Sequence, residues 1–166
     1  MNIFGGINMD SFHHELELSI RIVVALVVGV LIGMERAKKG KPAGIRTHAL
    51  VCIGSALAMV LSGLNEGQYR DPMRLAAQVI SGIGFIGAGV IWMDSSNVKR
   101  GLTTAANLWI TSIIGLAIGY GALILTLVTF ICIYVAFSVP ALLKLVGISF
   151  SVHSLDEESD DENRDC

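Results

Sequence analysis

Several charged and hydroxyl side chains stand at the ends of long apolar segments, where they could form a shared polar site. Carboxylates bind cations, arginines pair with carboxylates or bind anions, and threonine hydroxyls cap helix N-termini. Two roles are open for such a group: a functional site, or a set of interface anchors and ion pairs that hold short loops. The candidate cluster comprises Glu35, Arg36, Arg46, Thr47, His48, Asp94, Arg100, Thr103 and Thr104.

Two of these residues, Glu35 and Arg46, lie slightly inside their apolar segments, where an unpaired charge would be costly. We therefore predict that Glu35 pairs with Arg46 or Arg100. Thr103 and Thr104 stand at a predicted helix start and can cap its free N–H groups. A helix N-terminus beside Arg100 could also bind an anion such as a phosphate.

The polar residues show no nucleophile–base spacing, so we expect no enzyme activity, no catalytic residue and no cofactor. The three cysteines form no CxxC pair and no zinc-ligand spacing. Whether the protein binds a metal stays open. An acidic, histidine-containing group near the N-terminus could bind one, but the favoured interpretation is an exposed, mobile segment; its members are Asp10, His13, His14, Glu15 and Glu17.

The elements that must position the cluster are long apolar segments. The chain is 53% hydrophobic and only 16% charged, and a membrane helix needs about 20 mainly apolar residues. Five segments fit this length: residues 18–34, 43–63, 75–93, 102–120 and 122–146. They do not alternate as barrel strands do, and a soluble bundle of buried helices is the weaker alternative. The sequence thus predicts an all-α, polytopic transmembrane bundle of five helices.

Basic residues set the predicted orientation, since cytoplasmic loops are enriched in Lys and Arg. The loops after the first and third segments and the C-terminal flank contain most of them: Arg36, Lys38, Lys39, Lys41, Lys99, Arg100 and Lys144. The opposite loops contain only Arg70 and Arg74. We expect the N-terminus outside, the C-terminus in the cytoplasm and the candidate cluster on the cytoplasmic side.

The predicted domain organisation has three parts: an external N-terminal segment 1–17, a transmembrane domain 18–146 and a cytoplasmic tail 147–166. The tail contains half of the acidic residues and is expected to be disordered, either simply solvated or in contact with a basic partner or divalent cations. On the outer side, Arg21 is expected either to reach the interface or to meet Gln78.

Glycines are frequent in the predicted helices. The spacing from Gly82 to Gly87 matches GxGxxG, but no strand precedes it, so a dinucleotide site is excluded. Close helix packing is favoured over a pore or hinge role. The packing prediction covers Gly29, Gly33, Gly82, Gly84, Gly87, Gly89, Gly115 and Gly119.

Three long motifs resemble the MgtC/SapB family. The first is Gly29-x-x-x-Gly33-x-Glu35-Arg36 followed by GIRTHALV at 44–51, the second lies at 71–89, and the third is RGLTTAA-x-x-W at 100–109. The resemblance covers roughly residues 20–145 without visible gaps. We expect the chain to lie nearer a short SapB-like branch on two grounds. No soluble C-terminal domain is expected, and Thr103 stands where pathogen members typically have asparagine.

The resemblance implies a multi-pass protein of the bacterial inner membrane that supports growth under magnesium limitation or stress. It implies action on another membrane protein, such as the ATP synthase. The alternative is a transporter or channel for magnesium or another ion, formed by an oligomer with a ring of Glu35 carboxylates. Besides the lipid bilayer, a homo-oligomeric partner is open, and no nucleic acid is expected.

Overall fold

The computed structural model describes residues 9–64, 71, 73–95 and 97–145. The predicted acidic tail 147–166 and Arg70 lie outside these residues. Five helices run through them: α1 (Met9–Lys38), α2 (Ile45–Leu64), α3 (Met73–Gly89), α4 (Leu102–Tyr120) and α5 (Leu123–Leu145). The predicted class, all-α with five helices, is confirmed. The sequence did not predict the two-residue antiparallel pairing of β1 (Trp92–Met93) with β2 (Lys99–Arg100) between α3 and α4.

Helix α1 begins at Met9, well before the predicted start of the first apolar segment at residue 18. His13, His14 and Glu17 are exposed, as predicted, but they belong to the helix and not to a mobile segment. Hydropathy marks only the part of a helix that lipid can surround, and it does not mark where the helix ends. An ion pair of 2.6 Å between Glu17 and Arg21, four residues apart, stabilises these first turns.

Three of the five helices are long and apolar enough to cross a membrane, judged by length and composition: Phe12–Lys38, Ile45–Leu64 and Leu102–Tyr120. The apolar helices Met73–Gly89 and Leu123–Val139 are shorter. The 17 residues of α3 correspond to about 26 Å of helix, near the lower limit for a span.

Helix α2 packs between α1 and α4, and glycines make both contacts close. A Cβ on Gly29 would lie 2.8 Å from the Ala49 Cα, and a Cβ on Gly33 would lie 2.5 Å from the Ile45 Cα. On the other side, a Cβ on Gly115 would overlap the Cys52 carbonyl oxygen. A Cβ on Gly119 would likewise overlap the carbonyl oxygen of Ala56. These four glycines therefore lie where helices approach closely, and both contacts lie within the chain.

The glycines of α3 behave differently. Only Gly87 faces a neighbouring helix, since a Cβ on it would lie 3.6 Å from the Ala105 Cβ. A Cβ on Gly82, Gly84 or Gly89 would have no described atom within 4 Å. These three glycines therefore make no helix contact among the described residues, because α3 turns them away from the bundle, and their packing role stays a prediction.

At the end of the bundle where α4 meets α5, Arg21 closes the turn. Its Nη1 donates to the Gly119 carbonyl at 3.0 Å, and its guanidinium lies 3.0 Å from the position of a Cβ on Gly121. Gly121 has φ +95°, and its N–H donates to the last carbonyls of α4. Of the two alternatives for Arg21, reaching the interface or meeting Gln78, the described residues show no hydrogen bond to Gln78. Arg21 instead binds the C-terminal end of α4, whose carbonyls attract a cation.

Candidate functional site

At the opposite end of the bundle, α1 ends and α2 and α4 begin. A short turn between α1 and α2 brings several predicted site residues together there. The N–H of Lys41 donates to the carbonyl of Arg36 at 3.1 Å, and Gly40 adopts φ +62°. This tight reversal places the last turn of α1 beside the first turn of α2. Arg36 and His48 both point inward, with exposed fractions of 2% and 0%. We call this end of the molecule the charged end.

Arg36 crosses from α1 to two other helices. Its Nη2 donates to the Thr104 hydroxyl on α4 at 3.4 Å. Its guanidinium carbon also lies 5.1 Å from the ring centroid of Phe137 on α5. A desolvated cation over an aromatic face gains on the order of 2 kcal/mol, which offsets part of the cost of burying the charge.

His48 connects α2 with α4. Its Nδ1–H donates to the Gly44 carbonyl at 2.9 Å, and its Nε2 accepts from the Asn107 amide at 3.2 Å. This pattern fits a neutral ring with its proton on Nδ1. The Asn107 Oδ1 is buried and has no hydrogen-bond partner among the described residues. We define Arg36, His48, Thr104 and Asn107 as the buried polar cluster.

Further hydroxyl groups extend this arrangement along the contact between α2 and α4. Ser55 and Ser112 share a hydrogen bond of 2.9 Å, and the Thr111 hydroxyl donates to the Asn107 carbonyl at 2.7 Å. These three side chains are all buried. Hydrogen bonds between helices are a main source of association in lipid, where the hydrophobic effect does not distinguish one helix from another.

The sequence-based prediction missed Asn107, Ser55, Thr111 and Ser112. A usable signal was present: polar residues at 104, 107 and 111 recur at helical spacing on one face of α4. The signal was overlooked because the candidate residues all stand near helix ends, whereas this face runs into the middle of the helix.

The connection between α3 and α4 positions the remaining pair. Asp94 accepts from the Arg100 Nε at 2.8 Å through one oxygen and from the Val98 N–H at 3.0 Å through the other. Gly101 then starts α4 with φ +87°, and a Cβ there would overlap the Val90 carbonyl oxygen. Glycine at this position lets the chain leave the hairpin and enter α4.

The residues of the predicted cluster therefore do not form one group. Arg36, His48 and Thr104 meet in the interior, whereas Arg46 and Thr103 are exposed and Thr47 is half-buried. Glu35 pairs with Lys39 at 2.5 Å, one turn further along α1. The predicted pairing of Glu35 with Arg46 or Arg100 is therefore wrong, because Asp94 holds Arg100 and Arg46 points outward.

Metal ligands were left open by the sequence. Among residues 9–64, 71, 73–95 and 97–145, no group of three or more His, Cys, Asp or Glu side chains is placed to hold a metal ion. The arrangement of the buried polar cluster joins helices by hydrogen bonds and a cation–π contact.

Together, the apolar helices and the cluster define a helical membrane protein whose α1, α2 and α4 are joined by buried polar contacts. A model of the MgtC family matches residues 22–145. The chain belongs to the MgtC family, and the resemblance carried by the sequence motifs is confirmed. Its placement nearer a SapB-like branch stays a prediction.

The chain is similar to several curated bacterial proteins. It is 46% identical over 112 residues to YhiD of Escherichia coli (strain K12), which is named "Putative magnesium transporter YhiD". The aligned residues make up 63% of this chain and 52% of YhiD. It is 40% identical over 119 residues to SapB of Bacillus subtilis, and the alignment covers 67% of this chain and 51% of SapB. It is 47% identical over 97 residues to MgtC of Brucella suis, and the alignment covers 58% of this chain and 40% of that MgtC. The chain spans about half the length of the curated relatives it matches, and no solved structure matches it significantly.

Proposed function

We propose that the protein is an inner-membrane component of bacterial magnesium homeostasis that acts by binding another membrane protein through its charged end. The link to magnesium rests on the family and on the name of the relative YhiD. The orientation proposed from the basic loops places the charged end in the cytoplasm. The ATP synthase is the partner class that the family resemblance suggests.

The observation that carries the proposed binding mode is the contrast between the inside and the outside of the charged end. Inside, the buried polar cluster holds the ends of α1, α2 and α4 in fixed positions. Outside, the basic side chains of Lys38, Arg46 and Lys99 are exposed on these elements and on the adjoining hairpin. A base held by buried contacts and carrying exposed cations suits recognition of an acidic surface, because little loop ordering remains to oppose binding.

Charge reversal tests this proposal. The double variant Arg46→Glu/Lys99→Glu should lose the partner that is cross-linked and captured from membranes of magnesium-limited cells. It should also lose rescue of a deletion strain in low magnesium, at an unchanged level in the membrane. The matched control Arg46→Lys/Lys99→Arg keeps the charges and should retain both. Full capture and rescue by the reversed variant would contradict the proposal.

Ion transport is the second candidate, and the name of YhiD favours it. Among the described residues, Glu35 offers a carboxylate near the end of a span: its side chain is 18% exposed and pairs with Lys39. Mg²⁺ binds through a few carboxylates and retained waters. Purified protein in liposomes containing a magnesium dye distinguishes the candidates. Magnesium influx that Glu35→Gln abolishes and Glu35→Asp retains would establish transport and displace the binding proposal.

A further inference from the structure

The outer face of α3 has a composition that lipid alone does not satisfy. The inner face packs on the bundle through Ala76, Ile83 and Gly87. The opposite side presents an exposed stripe whose members recur at the spacing of one helix face. We define the α3 outer face as Arg74, Gln78, Ser81, Gly82, Phe85 and Gly89.

Two features of this face favour a protein neighbour over lipid alone. Gln78 and Ser81 are exposed on an apolar helix, and hydrocarbon offers their amide and hydroxyl groups no hydrogen-bond partner. Phe85 is 87% exposed and projects between Gly82 and Gly89, where no described atom lies within 4 Å of a Cβ. The face therefore combines a large projection with depressions and unmatched polar groups.

We infer that the α3 outer face is the contact surface for a second copy of this chain, in a parallel pair related by a two-fold axis along the membrane normal. Copies inserted in the same orientation bring identical faces together, so the surface must be complementary to itself. Phe85 of one copy fits the glycine depressions of the other. The amide of Gln78 both donates and accepts, so it can bond to the same amide across the axis.

The charges at the start of α3 are complementary in the same way. Asp71, whose carboxylate accepts from the Met73 N–H at 3.0 Å, and Arg74 in the first turn of α3 are both exposed. In a parallel pair, the carboxylate of each copy faces the guanidinium of the other. A surface of one charge would favour a different partner, whereas this pattern favours the same chain.

The glycine spacing agrees with this geometry. Gly82 and Gly89 are seven residues apart, the repeat that left-handed helix pairs use. The glycine faces of α1 and α4 are already filled by α2. On the α3 outer face, by contrast, no described residue fills the space beside Gly82 and Gly89. This inference does not depend on which partner the charged end binds.

Filling the depressions tests the contact without disturbing the bundle. Gly82→Leu/Gly89→Leu should weaken self-association in lipid vesicles at least about tenfold, and Gln78→Leu should weaken it about three- to tenfold. Gly54→Leu is the matched control, since Gly54 on α2 also has no atom within 4 Å of a Cβ. The control should associate as the unchanged chain does. Helix content and thermal stability should remain the same in all of these variants.

Cross-linking identifies the neighbour. In a chain with Cys52, Cys132 and Cys166 replaced by serine, Ser81→Cys should cross-link to its own copy in membranes, whereas Ile131→Cys on the exposed face of α5 should not. A photo-reactive phenylalanine analogue at 85 should give an adduct of twice the 17.7 kDa chain mass. A monomer at all protein-to-lipid ratios would overturn the inference. So would equal cross-linking at 131, or an adduct with a different protein or with lipid.

Discussion

Replacing Gly29 with alanine tests whether the close approach of α1 and α2 stabilises the bundle. The added methyl would lie 2.8 Å from the Ala49 Cα, 2.9 Å from the Cys52 Cβ and 2.9 Å from the His48 carbonyl oxygen. Ordinary contact begins near 3.4 Å, so the helices must separate by about 0.6 Å. Two of the three atoms are backbone and cannot move by a rotamer change.

Overpacking of this kind costs about 1–3 kcal/mol. Alanine's better helix propensity returns roughly 0.5–1 kcal/mol, so the net loss in the free energy of unfolding should lie between about 0 and 2.5 kcal/mol, centred near 1 kcal/mol. The separation also pulls α1 away from His48, which should weaken the buried polar cluster. The expected result is a lower midpoint for Gly29→Ala in denaturant titrations of the protein in mixed micelles.

Gly54→Ala is the matched control on α2. No described atom lies within 4 Å of its Cβ position, so the change should leave the free energy of unfolding the same or raise it by up to about 1 kcal/mol. If Gly29→Ala is as stable as Gly54→Ala, the glycine contact does not hold the two helices together and the packing argument fails.

Two further variants probe the site. Asn107→Leu removes the hydrogen bond to His48 and should lower the free energy of unfolding by about 0.6–1.7 kcal/mol. A double-mutant cycle with His48→Leu should show that the two losses are coupled. Additive losses would contradict a direct bond between the two side chains. Gly101→Ala forces a side chain into φ +87° against a carbonyl oxygen and should cost about 2 kcal/mol or more. Protease sensitivity at the adjoining hairpin measures this loss, and unchanged cleavage would refute the strain argument.

The sequence by itself determined the class of protein. Segment length and hydropathy are local properties that decide whether a helix suits a lipid environment, so five helices could be predicted without knowing any contact. The glycine pairs Gly29/Gly33 and Gly115/Gly119 were also predicted as contact faces, since a small residue at every fourth position leaves a groove on any helix. The family motifs followed from residue order alone.

Only the tertiary structure decided which polar groups meet. Hydropathy could not show that Arg36 reaches Thr104 and Phe137 while Glu35 pairs along its own helix, because these choices depend on the rotation of each helix about its axis. A rotation that buries one residue turns its neighbour in sequence to the outside. The same geometry buried Asn107 and exposed Gly82 and Phe85, whose types alone did not indicate which surface they would face.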